Sequence, residues 1–290
     1  MANKRIEYVL PNVSSIRQRG GLAERIDLAS QFDCKYVEIP ADLIKNGTEE
    51  VKTGVDIGMP LKKEHIPLLY SQDPIEKGNC NYILHTEPSV PRTDQYNIIS
   101  QTVIKWHQPE WVHDFSVMVG NITEYFGIPA DFIEIHPGDK RNAIPDIVEG
   151  MRKIFETQSR IWGDEPNIVL ENRTGQMISR GKEIASLWNY IERSATDIID
   201  KTGVVMDVQQ LYTVTKTKFE QNLAMIPPSC LKGFHIHRKH GTPASSDQIP
   251  WKSVFSFIKT LNQPFFINPE VHHKNAVRPT IDFCELMMKG

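Results

Sequence analysis

Short apolar runs rich in β-branched and aromatic residues recur along the chain, and longer segments with apolar residues at every third or fourth position lie between them. The short runs predict β-strands, and the longer segments predict amphipathic helices. Eight strands are predicted, at residues 6–10, 36–39, 82–85, 132–136, 168–171, 204–207, 234–237 and 265–267. The clearest helical patterns cover residues 22–32, 147–155, 184–191 and 254–261.

Strands that alternate with helices predict βαβ units and a parallel sheet. Eight such repeats favour closure into a barrel, and the 290 residues of the chain suit a fold that typically takes about 250. We therefore expect an α/β protein with a single (β/α)8 TIM-barrel domain over residues 1–290. An open doubly wound sheet is the alternative, but no GxGxxG sequence follows the first strand. Loops are expected at residues 53–79 and 241–250.

The composition is that of a globular protein, with 40% hydrophobic and 24% charged residues. The net charge of −3 gives no general attraction to nucleic acid or membranes, although a local metal cluster could still neutralise phosphates. The four cysteines form no CxxC pair, which indicates reduced thiols in a cytoplasmic protein. No apolar run reaches the roughly 20 residues of a membrane helix. We expect no membrane association, and nothing indicates a protein partner.

Each predicted strand from the third onward ends at or near a histidine, aspartate or glutamate. In a barrel these ends converge on one mouth, where active sites are built. A single such residue is ordinarily a solvated loop residue or a cap, but neighbouring carboxylates repel one another unless a cation lies between them. Nitrogen and oxygen ligands without a thiolate suit Zn²⁺ or Mn²⁺. Six ligands exceed one tetrahedral site, so two ions are expected.

The order of the motifs HT, HPG, ENRTGQ, MD, HIH and NPE is similar to that of the xylose isomerase-like barrels, and it most closely resembles the endonuclease IV (AP endonuclease family 2) branch. The ENRTGQ segment, residues 171–176, is the most specific match. The resemblance implies that Glu171 bridges two ions. It assigns His85, His136 and Glu171 to one ion, and Glu171, Asp207, His235 and Glu270 to the other. The second set also resembles the single-metal site of sugar epimerases and isomerases, whereas His85 and His136 point to the nuclease branch.

Two segments depart from the nuclease pattern. Gln210 stands three residues after Asp207, where the nuclease pattern has a histidine. The nuclease pattern also has an Asp-x-His pair after strand seven, and this chain has only His240 as a counterpart. These departures weaken the case for a third ion and for DNA cleavage.

Further residues near the mouth are candidates for substrate contact. His237 faces the same side as His235 by strand alternation, and it either touches substrate or is held by protein partners. Arg173 either meets a phosphate or lies in solvent. The substrate candidates are Gln210, His237, His240 and Arg173. The cluster of Trp106, His107, Trp111 and His113 predicts the packing face of a helix, with a stacking platform as the alternative.

Three functional hypotheses follow. The first is a metal-dependent phosphodiester hydrolase that cleaves DNA at an abasic or damaged site, in which Glu171 and Glu270 position the attacking water. The second is a sugar isomerase or epimerase, in which Glu171 and Glu270 exchange a proton with carbon. The third is a barrel that binds metal or ligand without turnover. We rank the third hypothesis last because all six main ligands are present.

Overall fold

The computed structural model describes residues 6–13, 22–41, 60, 62–66, 81–86, 89–93, 98–102, 104–138 and 140–290. Its strands are Glu7–Leu10 (β1), Tyr36–Pro40 (β2), Asn81–His85 (β3), Ser89–Thr93 (β4), Ile98–Thr102 (β5), Phe132–Ile135 (β6), Asn167–Glu171 (β7), Thr202–Asp207 (β8), Leu231–His235 (β9) and Phe266–Asn268 (β10). Eight of these strands pair in parallel and close into a barrel in the order β1-β10-β9-β8-β7-β6-β3-β2. The predicted (β/α)8 barrel is confirmed.

Helices surround the barrel and pack their apolar faces against the strands in one continuous core. The α-helices of the described residues are Leu22–Gln31 (α1), Pro109–Phe126 (α2), Ile144–Trp162 (α3), Gly181–Ser194 (α4), Val208–Thr215 (α5), Phe219–Leu223 (α6), Trp251–Lys259 (α7) and Lys274–Lys289 (α8). Four 3-10 turns occupy Lys63–His65, Ile199–Lys201, Lys216–Lys218 and Pro228–Cys230. Within this part of the chain, no helix is long and apolar enough to cross a membrane.

The observed ends of α3 have local causes. The helix runs beyond the predicted residues 147–155 at both ends. Pro145 occupies its first turn, where a missing N–H costs nothing. Gly163 ends it in the left-handed region, with φ of 73°, as glycine commonly does.

The aromatic cluster before and within α2 belongs to the core. Trp106 and Trp111 are both buried, and the Trp106 ring meets the Phe115 ring edge-on with centroids 5.3 Å apart. The two tryptophans therefore pack as predicted, whereas His107 is half-buried and His113 is exposed. The Trp106 Nε1–H also donates to the His136 carbonyl over 2.8 Å, so this cluster fixes the backbone of a predicted ligand.

One element was not predicted. β4 and β5 form an antiparallel pair outside the barrel, between β3 and α2. Polar residues and Pro91 interrupt the hydrophobic alternation there, which removes the usual strand signal. The expected loop at 241–250 contains no helix or strand. Of the expected loop at 53–79, only residues 60 and 62–66 lie within the described residues.

The barrel interior has an apolar floor beneath a polar layer. The floor consists of Val9, Tyr36, Ile83, Phe132, Val169, Val205 and Phe266. Because side chains alternate along a strand, the residues two positions further on point inward again. From Tyr36 onward, those residues are Glu38, His85, Glu134, Glu171, Asp207 and Asn268, and on β9 His235 follows the inward-facing Gly233 by the same two positions. All seven are buried, so strand alternation alone places charged groups inside the mouth.

Candidate metal centre

The first predicted ligand set converges on a single carboxylate oxygen. Oε2 of Glu171 lies 2.8 Å from Nε2 of His136 and 3.3 Å from Nε2 of His85. The two Nε2 atoms are 3.5 Å apart. Ligands bound tetrahedrally at Zn²⁺ bond lengths lie about 3.4 Å from one another. His85, His136 and Glu171 therefore have the spacing of a site for one divalent ion.

The second predicted set lies beside the first. Nδ1 of His235 is 3.4 Å from Oε2 of Glu270 and 3.8 Å from Oε2 of Glu171. Asp207 joins His235 and Glu270 in a second group that could hold an ion. The structure thus brings all six predicted ligands together, with Glu171 between the two groups.

The ENRTGQ segment builds the frame of this centre. Asn172 clamps the end of β8, because its Oδ1 accepts the Asp207 backbone N–H over 2.9 Å and its Nδ2 donates to the Asp207 carbonyl. Gln176 accepts the Gly138 N–H over 2.8 Å and so holds the loop that follows His136. Two motif residues that follow Glu171 therefore hold the backbone at or near the ligands Asp207 and His136, which lie at the ends of the two neighbouring strands.

Hydrogen bonds set the tautomers of the first two histidines. Nδ1 of His136 lies 2.9 Å from the Thr86 carbonyl, which can only accept. Nδ1 of His85 lies 2.8 Å from Oε1 of Glu38. A proton on each Nδ1 leaves the Nε2 lone pair directed at Glu171, which is how a metal-binding histidine is oriented.

His237 has the opposite arrangement. Its Nδ1 accepts the backbone N–H of His240 over 3.0 Å, so the proton of the neutral ring lies on Nε2. That nitrogen is 2.9 Å from Oε2 of Glu270 and 3.5 Å from Oδ2 of Asp207. A nitrogen that carries a proton cannot bind a metal. His237 therefore holds two ligand carboxylates in place.

The other substrate candidates occupy different places. Oε1 of Gln210 accepts the Thr174 backbone N–H over 3.2 Å, so its side chain ties α5 to the loop after β7. Arg173 and His240 line a cavity of about 210 Å³ at the mouth. Nη1 of Arg173 lies 3.3 Å from Nε2 of His136 and 3.9 Å from Oε1 of Glu171. Substrate contact by these residues stays a prediction.

No protein-family model and no curated protein matches the sequence. Solved structures match it along almost its whole length. The 3-keto-D-glucoside 4-epimerase from E. coli has 11% identity and a TM-score of 0.57, and the match covers 97% of this chain and 100% of that chain. An AP endonuclease, family 2, from Brucella melitensis has 10% identity and a TM-score of 0.59, with 97% and 99% covered. A xylose isomerase domain protein from Alicyclobacillus acidocaldarius has 13% identity and a TM-score of 0.54, with 98% and 99% covered.

The fold is that of the xylose isomerase-like barrels. This confirms the resemblance at the level of the fold. Proteins with this fold include both sugar epimerases and an AP endonuclease. The comparisons therefore leave hydrolysis and isomerisation both open, and the chemistry must be argued from the site.

In this barrel, two site carboxylates were missed by sequence reasoning. Glu38 accepts hydrogen bonds from His85 and from Nδ2 of Asn268, the latter over 2.9 Å. Glu134 is fully buried, with Oε1 3.1 Å from Nε2 of His235. Both residues interrupt apolar strands, and Glu134 stands two positions before His136. Strand alternation could have placed both inside the barrel.

Opposing effects set the charges of the ligands. Burial alone would raise the pKa of Glu171, but its contacts with His136 and His85 hold that pKa well below the ordinary range. Burial would lower the pKa of His235, but Glu134 and Glu270 raise it well above its ordinary value. Without a metal, protons on histidine thus compensate the buried carboxylates.

Several buried polar atoms of the described residues have no hydrogen-bond partner, and six of them belong to carboxylates and a histidine of the mouth. These six are Oε1 and Oε2 of Glu134, Oε1 of Glu171, both ring nitrogens of His235 and Oε2 of Glu270. Unpartnered buried polar atoms are costly, and these atoms surround the two candidate ion positions. The residues present therefore fit divalent ions that prefer nitrogen and oxygen ligands.

Proposed function

We propose that the protein is a metal-dependent phosphodiester hydrolase with two Zn²⁺ or Mn²⁺ ions in the barrel mouth, and that DNA with an abasic site is its first substrate class to test. The observation that carries this proposal is the position of His85 and His136. Their Nε2 atoms face Glu171 beside the Asp207 group. A second ion is most useful where two oxygens of a phosphate must be held.

The number of carboxylates in the mouth supports two ions over one. Five carboxylates gather there, those of Glu38, Glu134, Glu171, Asp207 and Glu270. One divalent ion would leave three negative charges uncompensated, whereas two ions would leave one. The Arg173 guanidinium beside Glu171 supplies the remaining positive charge. Buried charges are tolerated where they are paired in this way.

The chain's own groups suit phosphate chemistry. Divalent ions in such a site supply positive charge to a phosphoryl group and lower the pKa of a nucleophilic water. Arg173 lines the mouth cavity, where its planar guanidinium can bind phosphate oxygens. Glu270 also lines this cavity, with its Oε2 2.9 Å from Nε2 of His237. Glu270 is thus the carboxylate placed to orient the attacking water.

Sugar isomerisation is the second candidate. It is favoured by the two carboxylates, of Glu171 and Glu270, that flank Nδ1 of His235 at 3.8 Å and 3.4 Å. Such a pair could remove a proton from a carbon and return one to it. This reaction needs only the Asp207 group and its ion. It gives no role to the His85 and His136 pair.

One experiment separates the two candidates. Metal-loaded protein is incubated with abasic, nicked and single-stranded DNA, and separately with ketoses and their phosphates in D₂O. We expect cleavage of the abasic strand, lost in Glu171→Gln. His85→Ala should abolish cleavage, whereas His113→Ala, a control at an exposed histidine of α2, should retain it. Deuterated sugar with intact DNA would instead place the isomerase first. Inactivity on both panels with both ions bound would favour a binding protein.

A further inference from the structure

Glu134 is the most deeply placed carboxylate of the mouth. It lies on β6, in register with His85 on β3, and its relative exposure is 0%. Neither of its oxygens has a hydrogen-bond partner within the described part of the chain. A carboxylate in this position is stable only beside a proton or a cation.

His235 does not supply the missing partner. Its Nε2 lies 3.1 Å from Oε1 of Glu134, but the alignment is too poor for a hydrogen bond, and both atoms stay unpartnered. Buried polar atoms that lack a hydrogen bond need a further partner.

The lone pair on Nε2 of His85 indicates where a cation would lie. Because Nδ1 of His85 donates to Glu38, its Nε2 lone pair faces two carboxylate oxygens, Oε2 of Glu171 at 3.3 Å and Oε1 of Glu134 at 3.8 Å. A lone pair that faces two anions is repelled unless a cation lies among them. Glu134 also shares a possible ion group with Glu171 and His235.

We propose that Glu134 is a fourth protein ligand of the ion held by His85, His136 and Glu171. This inference rests on the proposed two-ion centre and adds a ligand to it. The inner ion then has two nitrogen and two carboxylate ligands, a set that suits Zn²⁺ or Mn²⁺.

Zn²⁺ anomalous diffraction on the wild-type protein tests this proposal without turnover. The anomalous peak of the inner ion should lie about 2.0–2.2 Å from a Glu134 oxygen. Two peaks with Glu134 out of contact would overturn the inference and leave the proposed function standing. A single peak at the Asp207 group would remove the two-ion centre itself.

The variant Glu134→Gln tests the same point in solution. It should weaken inner-ion binding by more than about 100-fold, beyond the 10- to 100-fold typical of residues that only orient a ligand. Glu38→Gln is the matched control, since Glu38 is also buried but contacts the other ring nitrogen of His85, Nδ1. Unchanged retention of both ions would overturn the proposal, and if the variant does not fold, the wild-type diffraction decides.

Discussion

Oε1 of Glu38 lies 2.8 Å from Nδ1 of His85, and this contact turns the other ring nitrogen toward Glu171. Asn268 and the backbone N–H of Asn12 both donate to Oε2 of Glu38. The carboxylate is thus held by three groups and in turn holds a predicted metal ligand.

Glu38→Gln should lower metal affinity by about 10- to 100-fold, the usual cost of losing a group that orients a ligand. A glutamine amide places a donor where one of the three contacts needs an acceptor, so the His85 ring loses its fixed orientation. Competition with a chromogenic chelator measures the affinity. Glu183→Gln, at the start of α4, is a control that should leave the affinity unchanged. Equal affinity in Glu38→Gln and wild type would show that His85 needs no such support.

His235 and His237 should differ sharply although they lie two residues apart on one face. His235→Gln should lose the ion of the Asp207 group, because Nδ1 of His235 faces Glu270 and Glu171. His237→Gln should keep both ions, because Nδ1 of His237 is occupied by the His240 N–H. Elemental analysis after desalting compares the two variants. Loss of an ion from His237→Gln would contradict the tautomer assignment.

The sequence was sufficient for the barrel and for bringing the six candidate ligands to one mouth, because both follow local patterns. Strand periodicity and strand-end residues are visible in a single chain, and the closed topology brings the strand ends together. Glu38 and Glu134 were missed because each lies inside an apolar strand rather than at its end. Their role depends on which groups face them across the barrel. The tautomer of His237 likewise depends on a backbone N–H placed by the turn at Lys239 and His240, where φ is positive.

The pH should change the balance between metal-free and metal-loaded protein. Burial would lower the pKa of His85, but Glu134, Glu171 and Glu38 raise it well above its ordinary value. A histidine pKa raised by folding stabilises the metal-free protein below about pH 6.5, the unfolded value, and this stabilisation is lost as pH rises through the folded value. His235 behaves in the same way.

Metal ions must displace these protons, so metal affinity should increase with pH. The gain in Tm on addition of Zn²⁺ should therefore grow between about pH 6 and about pH 8. Thermal melting of metal-free and metal-loaded samples across this range measures the gain. A gain that shrinks with rising pH would contradict proton displacement from the two histidines.

Gly233 should be intolerant of any side chain. It faces into the barrel on β9, where an added Cβ would lie 2.4 Å from the Phe266 ring. Overpacking of a filled core typically costs about 1–3 kcal/mol, so Gly233→Ala should lower the free energy of unfolding by about that amount. Gly241→Ala is the matched control, because its Cβ would meet only one atom, at 3.4 Å. Urea denaturation compares the two, and equal stabilities would show that the floor can repack.

The central claim is that two ions share the barrel mouth through Glu171. Anomalous diffraction from crystals grown with Zn²⁺, without chelator, tests it most directly. The account predicts two peaks per chain, one against His85 and His136 and one against the group of Asp207, His235 and Glu270, with Glu171 between them. A single peak at the Asp207 group, or no peak at either position, would contradict it.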